Sequence, residues 1–326
     1  FTAPLLRGLQ GELLKPTPVP AVIKDLVAVV RWLDARANLL YGLVNWVLMV
    51  DLHVLRRLER WQARHLDEVP RWFEALAELD ALNALAGIYF AHPDWCRPEV
   101  ADGTITFEAE GLGHPLLPPD RRVRNDFAFE GAGKILLVTG ANMAGKSTFL
   151  RTVGVNMVLA QAGAPVCARR FRMSTLQVFT SMRTQDSLEE SVSGFYAELR
   201  RLRQLLDLLR RTDEPVFYML DEILKGTNSR DRQTGALALI KQLHRERATG
   251  MISTHDVELG QRAADLGVDL TNLSFNSTIT GEEIHFDYRL TPGLCRSFNA
   301  TKLMEQIGIA VEAADESLPA GNNPNP

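Results

Sequence analysis

The apolar and polar positions divide the chain into two stretches with different periods. Residues 20–92 read as helices. In "RWFEALAELDALNALAGIYF", Trp72, Leu76, Leu79, Leu82, Ala86 and Tyr89 recur at helical spacing and predict a stripe that faces a core. Pro70 stands before this helix and Pro93 after it, positions where proline is tolerated or terminates. Upstream, "LLYGLVNWVLMV", Leu39 to Val50, is the longest apolar stretch. It is too short to span a bilayer and it holds Asn45, so a buried helix is expected. Residues 93–130 are rich in Pro and Gly and turn to strand-like pieces such as "GTITFEAE".

From residue 133 onward, strands and helices alternate. "KILLVTG" predicts a strand, with a helix after it that reaches Gln161. "LQVFTSM", "VFYML" and "TGMIST" predict three more strands. "FYAELRRLRQLLDLLRR", "RDRQTGALALIKQLHRER" and "HDVELGQRAADLG" predict the helices that follow each of them. "LSFNSTITGEEIHFDYRL" reads as a hairpin around Thr280-Gly281. Such alternation argues an α/β layer with parallel pairing. The expected organisation is a smaller all-α helical segment over 1–92, a linker with lead-in strands over 93–130 and an α/β domain over 131–312. A disordered polar tail follows over 313–326.

Composition narrows the class. Of 326 residues, 46% are hydrophobic and 23% charged, as in soluble globular proteins. The net charge of -4 provides no global basic field, so any nucleic-acid surface has to be a local patch. Cys96, Cys167 and Cys295 are odd in number and scattered, without metal-ligand spacing. That fits a reducing compartment, and a cytoplasmic location is expected. The chain opens on Phe1 with no signal peptide in view and is expected to be a fragment of something longer. A membrane anchor preceding it stays open.

The chemistry starts at "TGANMAGKSTFL". Gly140, Gly145, Lys146 and Ser147 fit G-x-x-x-x-G-K-[ST], between an apolar strand and a helix. Backbone N–H groups in such a loop point at phosphates. Lys146 is expected to reach the β- and γ-phosphates of ATP, and Ser147 to ligate Mg²⁺. The loop residues Asn142, Met143, Ala144 and Thr148 belong to the same cradle. Hydrolysis needs carboxylates, and "FYMLDEILKGTNSRD" provides them. Asp221 at a strand end is expected to hold Mg²⁺, directly or through water, and Glu222 to act on the attacking water as general base. His255 ends the next strand, where it is expected to meet the γ-phosphate or the water.

"TGANMAGKSTFLRTVGVNMVLAQAGAPVCA", "LDEILKGT" and "STHDVEL" together resemble the ATPase domain of the MutS mismatch-repair family, a branch of the ABC-type ATPases. Asn142 and Met143 inside the loop mark that branch. "LAELDALNALA" resembles the last core helix leading into the domain. "GHPLLP" with "RND" resembles its opening segment, and "SGFYAEL" its Ser-x-Phe-x-x-Glu stretch at Ser193, Phe195 and Glu198. The resemblance covers roughly residues 70–310. It implies a P-loop NTPase of ABC type that pairs head to tail as a homodimer. Ser193 of one chain then completes the phosphate site of the other, and Tyr288 falls near the adenine. It also implies DNA as a partner, with the main DNA-contacting parts outside this sequence. An alternative is a MutS-like nucleotide-gated structural module without mismatch specificity.

Two departures stand out. Glu189 and Glu190 occupy the place of a Gly-Arg pair just before Ser193, and carboxylates there repel an incoming phosphate. No phenylalanine has Glu two residues on, so the family's Phe-x-Glu mismatch wedge is missing from these residues. A chromosome-condensation-type ATPase is disfavoured, because Leu-Ser-Gly-Gly-Gln does not occur.

Overall fold

The computed structural model describes residues 2–14, 16–37, 40–182, 194–280 and 283–296. The chain divides into two compact units, Phe1–Ala91 and His92–Pro326.

The described elements of the first unit are helical. They are α1 (Pro4–Leu14), α2 (Val19–Asp34), α3 (Tyr41–Leu48), α4 (Val50–His65) and α5 (Val69–Ala91), with a short 3-10 turn at Ala35–Ala37. Their small core gathers Val19, Val22 and Trp72, and Trp61 donates its indole N–H to the Val22 carbonyl at 3.0 Å. Burial departs from the sequence pattern at two places. Of the α5 stripe, Trp72 is buried and Leu82 half-buried, while Leu76, Leu79, Ala86 and Tyr89 are exposed. The packed residues Val69 and Trp72 lie at the start of that helix, so its later turns stay open. The apolar stretch 39–50 is likewise not a buried helix. None of α3 is buried, and Trp46 is 84% exposed. What holds α3 is polar: Asp51 accepts from Tyr41 at 2.7 Å and Asn45 at 2.9 Å and pairs with Arg36 at 2.7 Å. No helix among the described residues is long and apolar enough to cross a membrane.

Among the described residues the second unit contains two sheets. A four-stranded sheet has the order β1-β5-β2-β3, from Glu99–Ala101 (β1), Thr106–Leu112 (β2), Asn125–Glu130 (β3) and Arg170–Ser174 (β5). A six-stranded sheet has the order β10-β9-β4-β8-β7-β6. Its strands are Ile135–Gly140 (β4), Gln177–Ser181 (β6), Val216–Asp221 (β7), Thr249–Thr254 (β8), Leu270–Thr280 (β9) and Glu283–Pro292 (β10). Five of these run parallel, and β10 returns antiparallel on β9 as the expected hairpin. The class is therefore α/β with mixed sheets.

Every residue of β4 is buried, because both faces of the sheet are covered. Leu136 and Val138 face a phenylalanine-rich core shared with α6 (Lys146–Gln161) and the smaller sheet. Ile135 and Leu137 face the opposite core, built with α7 (Gly194–Arg211), α8 (Ser229–Arg245) and α9 (Val257–Ala264). Pairing register then fixes what meets at the carboxyl edge. Thr139 lies opposite Thr254, and Asp221 opposite Ser253. The loops after β4, β7 and β8 thus open at one place, where ligands of parallel sheets gather.

Candidate active site

The loop between β4 and α6 is built around its glycines. A Cβ on Gly140 would stand 2.8 Å from the Phe275 carbonyl oxygen, so that close approach requires glycine. Gly145 has φ +103 and caps α6, with the Tyr288 ring 3.0 Å from where its Cβ would be. Lys146 is the first residue of the helix and is buried. Its ammonium donates to the Gly140 carbonyl at 2.8 Å and the Ala141 carbonyl at 2.9 Å. Burial pushes it below the ordinary lysine value, Asp221 opposing and Lys225 assisting.

Asp221 arrives from β7. Ser147 donates to its Oδ1 at 3.0 Å, and Ser253 of β8 donates to the same oxygen. The Glu222 N–H donates to the Ser253 hydroxyl and carbonyl, both at 3.1 Å. Glu222 has φ +51, a left-handed backbone that turns its side chain away from the strand direction. Its carboxylate stands 3.7 Å from the Lys146 ammonium and 3.7 Å from His255 Nδ1, and it contacts Lys225. His255 is held below its ordinary value by burial and then by Arg232, Lys146 and Lys225, with Asp256 opposing. The imidazole is therefore neutral at neutral pH.

Lys146, Ser147 and Glu222 border a cavity of about 670 Å³ that also takes in Asn142, Met143, Thr148 and Tyr288, whereas His255 lines a separate, smaller cavity with Arg232 and Asp256 and meets the site through Glu222. The opposite wall is Leu112, His114, Arg121 and Val123. The structure thus brings together Gly145, Lys146, Ser147, Asp221, Glu222, His255 and Tyr288, while Ala144 packs in the core beneath the loop. Ser193, with Glu189 and Glu190, lies outside the described residues.

The other two members of the Ser-x-Phe-x-x-Glu stretch are described, and they act within the chain. Glu198 accepts from the Leu224 N–H, and Phe195 packs on Gly226 so closely that a Cβ there would be 2.5 Å from its own. Helix α7 therefore holds the 222–226 loop. The sequence motif pointed at these residues but not at this contact. Lys225 and Ser253 lie inside "LDEILKGT" and "STHDVEL", and part of the 112–123 wall inside "GHPLLP", but the pattern gives none of them a role; Lys225 meets Glu222 three residues away, whereas Ser253 meets Asp221 across 32 residues.

The family model of MutS domain V matches residues 136–318, more than half of the chain. This chain belongs to the MutS family. It is 34% identical over 252 residues to the DNA mismatch repair protein MutS of Natronomonas pharaonis, which covers 75% of this chain and 28% of that protein. It is 32% identical over 283 residues to the DNA mismatch repair protein MSH6 of Arabidopsis thaliana, covering 77% and 20%. It is 29% identical over 260 residues to the Endonuclease MutS2 of Geobacillus thermodenitrificans, covering 78% and 32%. This MutS-family chain thus spans between 20% and 32% of the length of these curated relatives.

Proposed function

We propose that this chain is the ATP-binding and ATP-hydrolysing module of a MutS-like protein that handles DNA. In this reading it is a P-loop NTPase of the ABC type with a smaller all-α segment before it. One observation carries the proposal: Lys146, Ser147, Asp221, Glu222 and His255 converge from three loops on one end of the six-stranded sheet.

The two carbonyls that hold the Lys146 ammonium are weaker acceptors than phosphate oxygens, so the lysine turns to the β- and γ-phosphates when they arrive. Ser147 and Asp221 oxygens are 3.0 Å apart. Neighbouring ligands of an octahedral Mg²⁺, each about 2.0–2.1 Å from the ion, have roughly that spacing, so the pair fits it. The ion supplies charge neutralisation on the phosphates. Glu222 accepts the proton of the attacking water, and the neutral His255 beside it orients that water or the γ-phosphate. Tyr288 offers its ring to the adenine. Gly140, Asn142, Met143, Ala144, Gly145 and Thr148 complete the phosphate cradle.

The same proposal makes the module a homodimer when ATP is bound, with Ser193 of each chain closing the site of the other. DNA enters as a partner of the longer protein.

A fluorescent-nucleotide titration paired with a turnover assay tests the reading. Lys146→Ala should abolish binding. Glu222→Gln keeps the shape and removes the base, so it should bind while turnover falls about a hundredfold or more. Unchanged affinity in the first variant, or persisting turnover in the second, removes the assigned role.

A further inference from the structure

Four arginines outside the nucleotide cleft converge on a second cavity. Arg122 and Arg124 precede β3, Arg169 precedes β5, and Arg289 sits at the irregular step in β10. Together they line a space of about 660 Å³ in which the one carboxylate is Asp126. With Asp126 in the lining and Asp94 paired to Arg124 just outside it, four cations face two carboxylates and leave an excess of two positive charges, in a chain whose net charge is -4.

The site is built rather than incidental. The register of β2 against β3 shifts between Ala109 and Leu112, and two glycines there make room for arginine stems. Gly111 has φ +62, and a Cβ on it would stand 2.9 Å from Arg169 Nε. A Cβ on Gly113 would stand 2.6 Å from Arg122 Cδ. Backbone acceptors then fix the forks: Arg122 Nε donates to the Leu117 carbonyl at 3.0 Å, and Arg124 Nη1 to the Gly111 carbonyl at 3.2 Å.

The competing carboxylates are weak partners. Arg169 is 3.6 Å from Asp126, both about 70% exposed, and Asp126 already accepts from the Gly111 N–H at 2.6 Å. Arg124 also meets the exposed Asp94 at 3.1 Å. The Arg289 side chain makes no hydrogen bond or ion pair among the described residues. Asn125 pins the Arg289 backbone from both sides, donating to the Tyr288 carbonyl at 3.1 Å and accepting from the Leu290 N–H at 2.8 Å. Asn125 and Val123 line the nucleotide cavity as well, so the two spaces share a wall.

We propose that this arginine cavity is a second anion site, which takes clustered phosphate groups: the phosphodiester backbone of a nucleic acid or a free polyphosphate. Planar guanidinium forks held in place match phosphate oxygens in a way that scattered lysines do not. The site provides the local basic patch that the overall charge demands of any nucleic-acid contact.

The test uses the full chain carrying Lys146→Ala, so that the phosphate loop contributes nothing and failure of the ATP reading leaves this test intact. A fluorescein-labelled single-stranded oligonucleotide is followed by anisotropy, and inorganic tripolyphosphate by calorimetry. Binding at tens of micromolar that weakens steeply with salt is expected. Arg169→Gln with Arg289→Gln should weaken it about tenfold or more and lower the salt slope by about two. Arg289→Gln alone should weaken it severalfold, and it removes no contact within the described fold. Tripolyphosphate binding alone assigns the site to a free polyphosphate, and oligonucleotide binding with the same arginine dependence assigns it to nucleic acid. Affinities unchanged in the arginine variants, or neither ligand bound at 100-fold excess, overturn the proposal.

Discussion

The Ser147 hydroxyl donates to Asp221 Oδ1 at 3.0 Å, joining the first turn of α6 to the end of β7 across 74 residues of chain. The bond brings the two expected Mg²⁺ ligands together while Ser253 steadies the same carboxylate from β8. Ser147→Ala removes one ligand and keeps the loop glycines and Lys146. We expect nucleotide affinity to become nearly insensitive to Mg²⁺, whereas the parent chain gains affinity when the ion is added. Titrations with Mg²⁺ and with a chelator measure the difference. An equal Mg²⁺ response in both proteins rules out Ser147 as a ligand.

The loop that carries Glu222 depends on α7. Gly226→Ala places a methyl 2.5 Å from Phe195 Cβ and 3.1 Å from its Cα, too close for a rotamer change to relieve. Overpacking of this kind costs about 1–3 kcal/mol. Glu198→Ala leaves the Leu224 N–H without its acceptor, with a penalty of about 1–3 kcal/mol if no water replaces it. Both variants should melt at lower temperature and lose turnover more than nucleotide binding, because the phosphate loop is untouched. A melting temperature unchanged in both shows that α7 does not hold the loop.

How much of this was legible in the sequence depended on the range of the interaction. β4 and α6 are bounded by residues adjacent in sequence, and "KILLVTG" and the helix to Gln161 sit where the pattern predicts. The β9–β10 hairpin is equally local. The four-stranded sheet was not visible, since β5 joins β2 through pairs such as Glu108 with Arg172, 64 positions apart. Periodicity also misjudged burial in the first unit. An apolar run reads as core wherever it lies, yet Trp46 and its neighbours in α3 face outward. At the site, Lys146 and Asp221 announced themselves by motif. Lys225 and Ser253 lie in "LDEILKGT" and "STHDVEL", yet nothing local assigns them a role among the polar residues there.

The pH dependence of stability should carry a mark of His255. Glu222, Lys146, Lys225, Arg232 and Asp256 surround it, and its folded value is held below the ordinary one. As pH falls, the unfolded chain takes up this proton first. The contribution of a neutral His255 is therefore complete above about pH 6.5 and is lost as pH falls through the folded value. Thermal melts between pH 8 and pH 5 should show a shallower acid loss in His255→Asn than in the parent chain. Arg232→Gln should make the acid loss smaller than the parent's, since it removes the second-largest cause of the depression and so narrows the gap between the unfolded and folded values. Superimposable profiles for all three proteins contradict this account.

Assembly provides the last test. Glu222→Gln should hold ATP without turnover, and a retained γ-phosphate is what a second chain's Ser193 is proposed to bind. One hydroxyl and one helix N-terminus contribute only about 1–2 kcal/mol each, so the dimer should be reversible and ATP-dependent. Glu189 and Glu190 oppose it, because two carboxylates approach the same phosphate. The balance therefore depends on salt, and raised ionic strength should favour pairing by screening that repulsion. Light scattering of the Glu222→Gln chain with Mg²⁺ and ATP should report a dimer that Ser193→Arg prevents and that Glu189→Gln with Glu190→Gln strengthens. A dimer indifferent to Ser193→Arg eliminates the role in trans. A monomer that persists with ATP bound at tens of micromolar, even in the Glu189→Gln/Glu190→Gln background, shows that this module does not pair through the site.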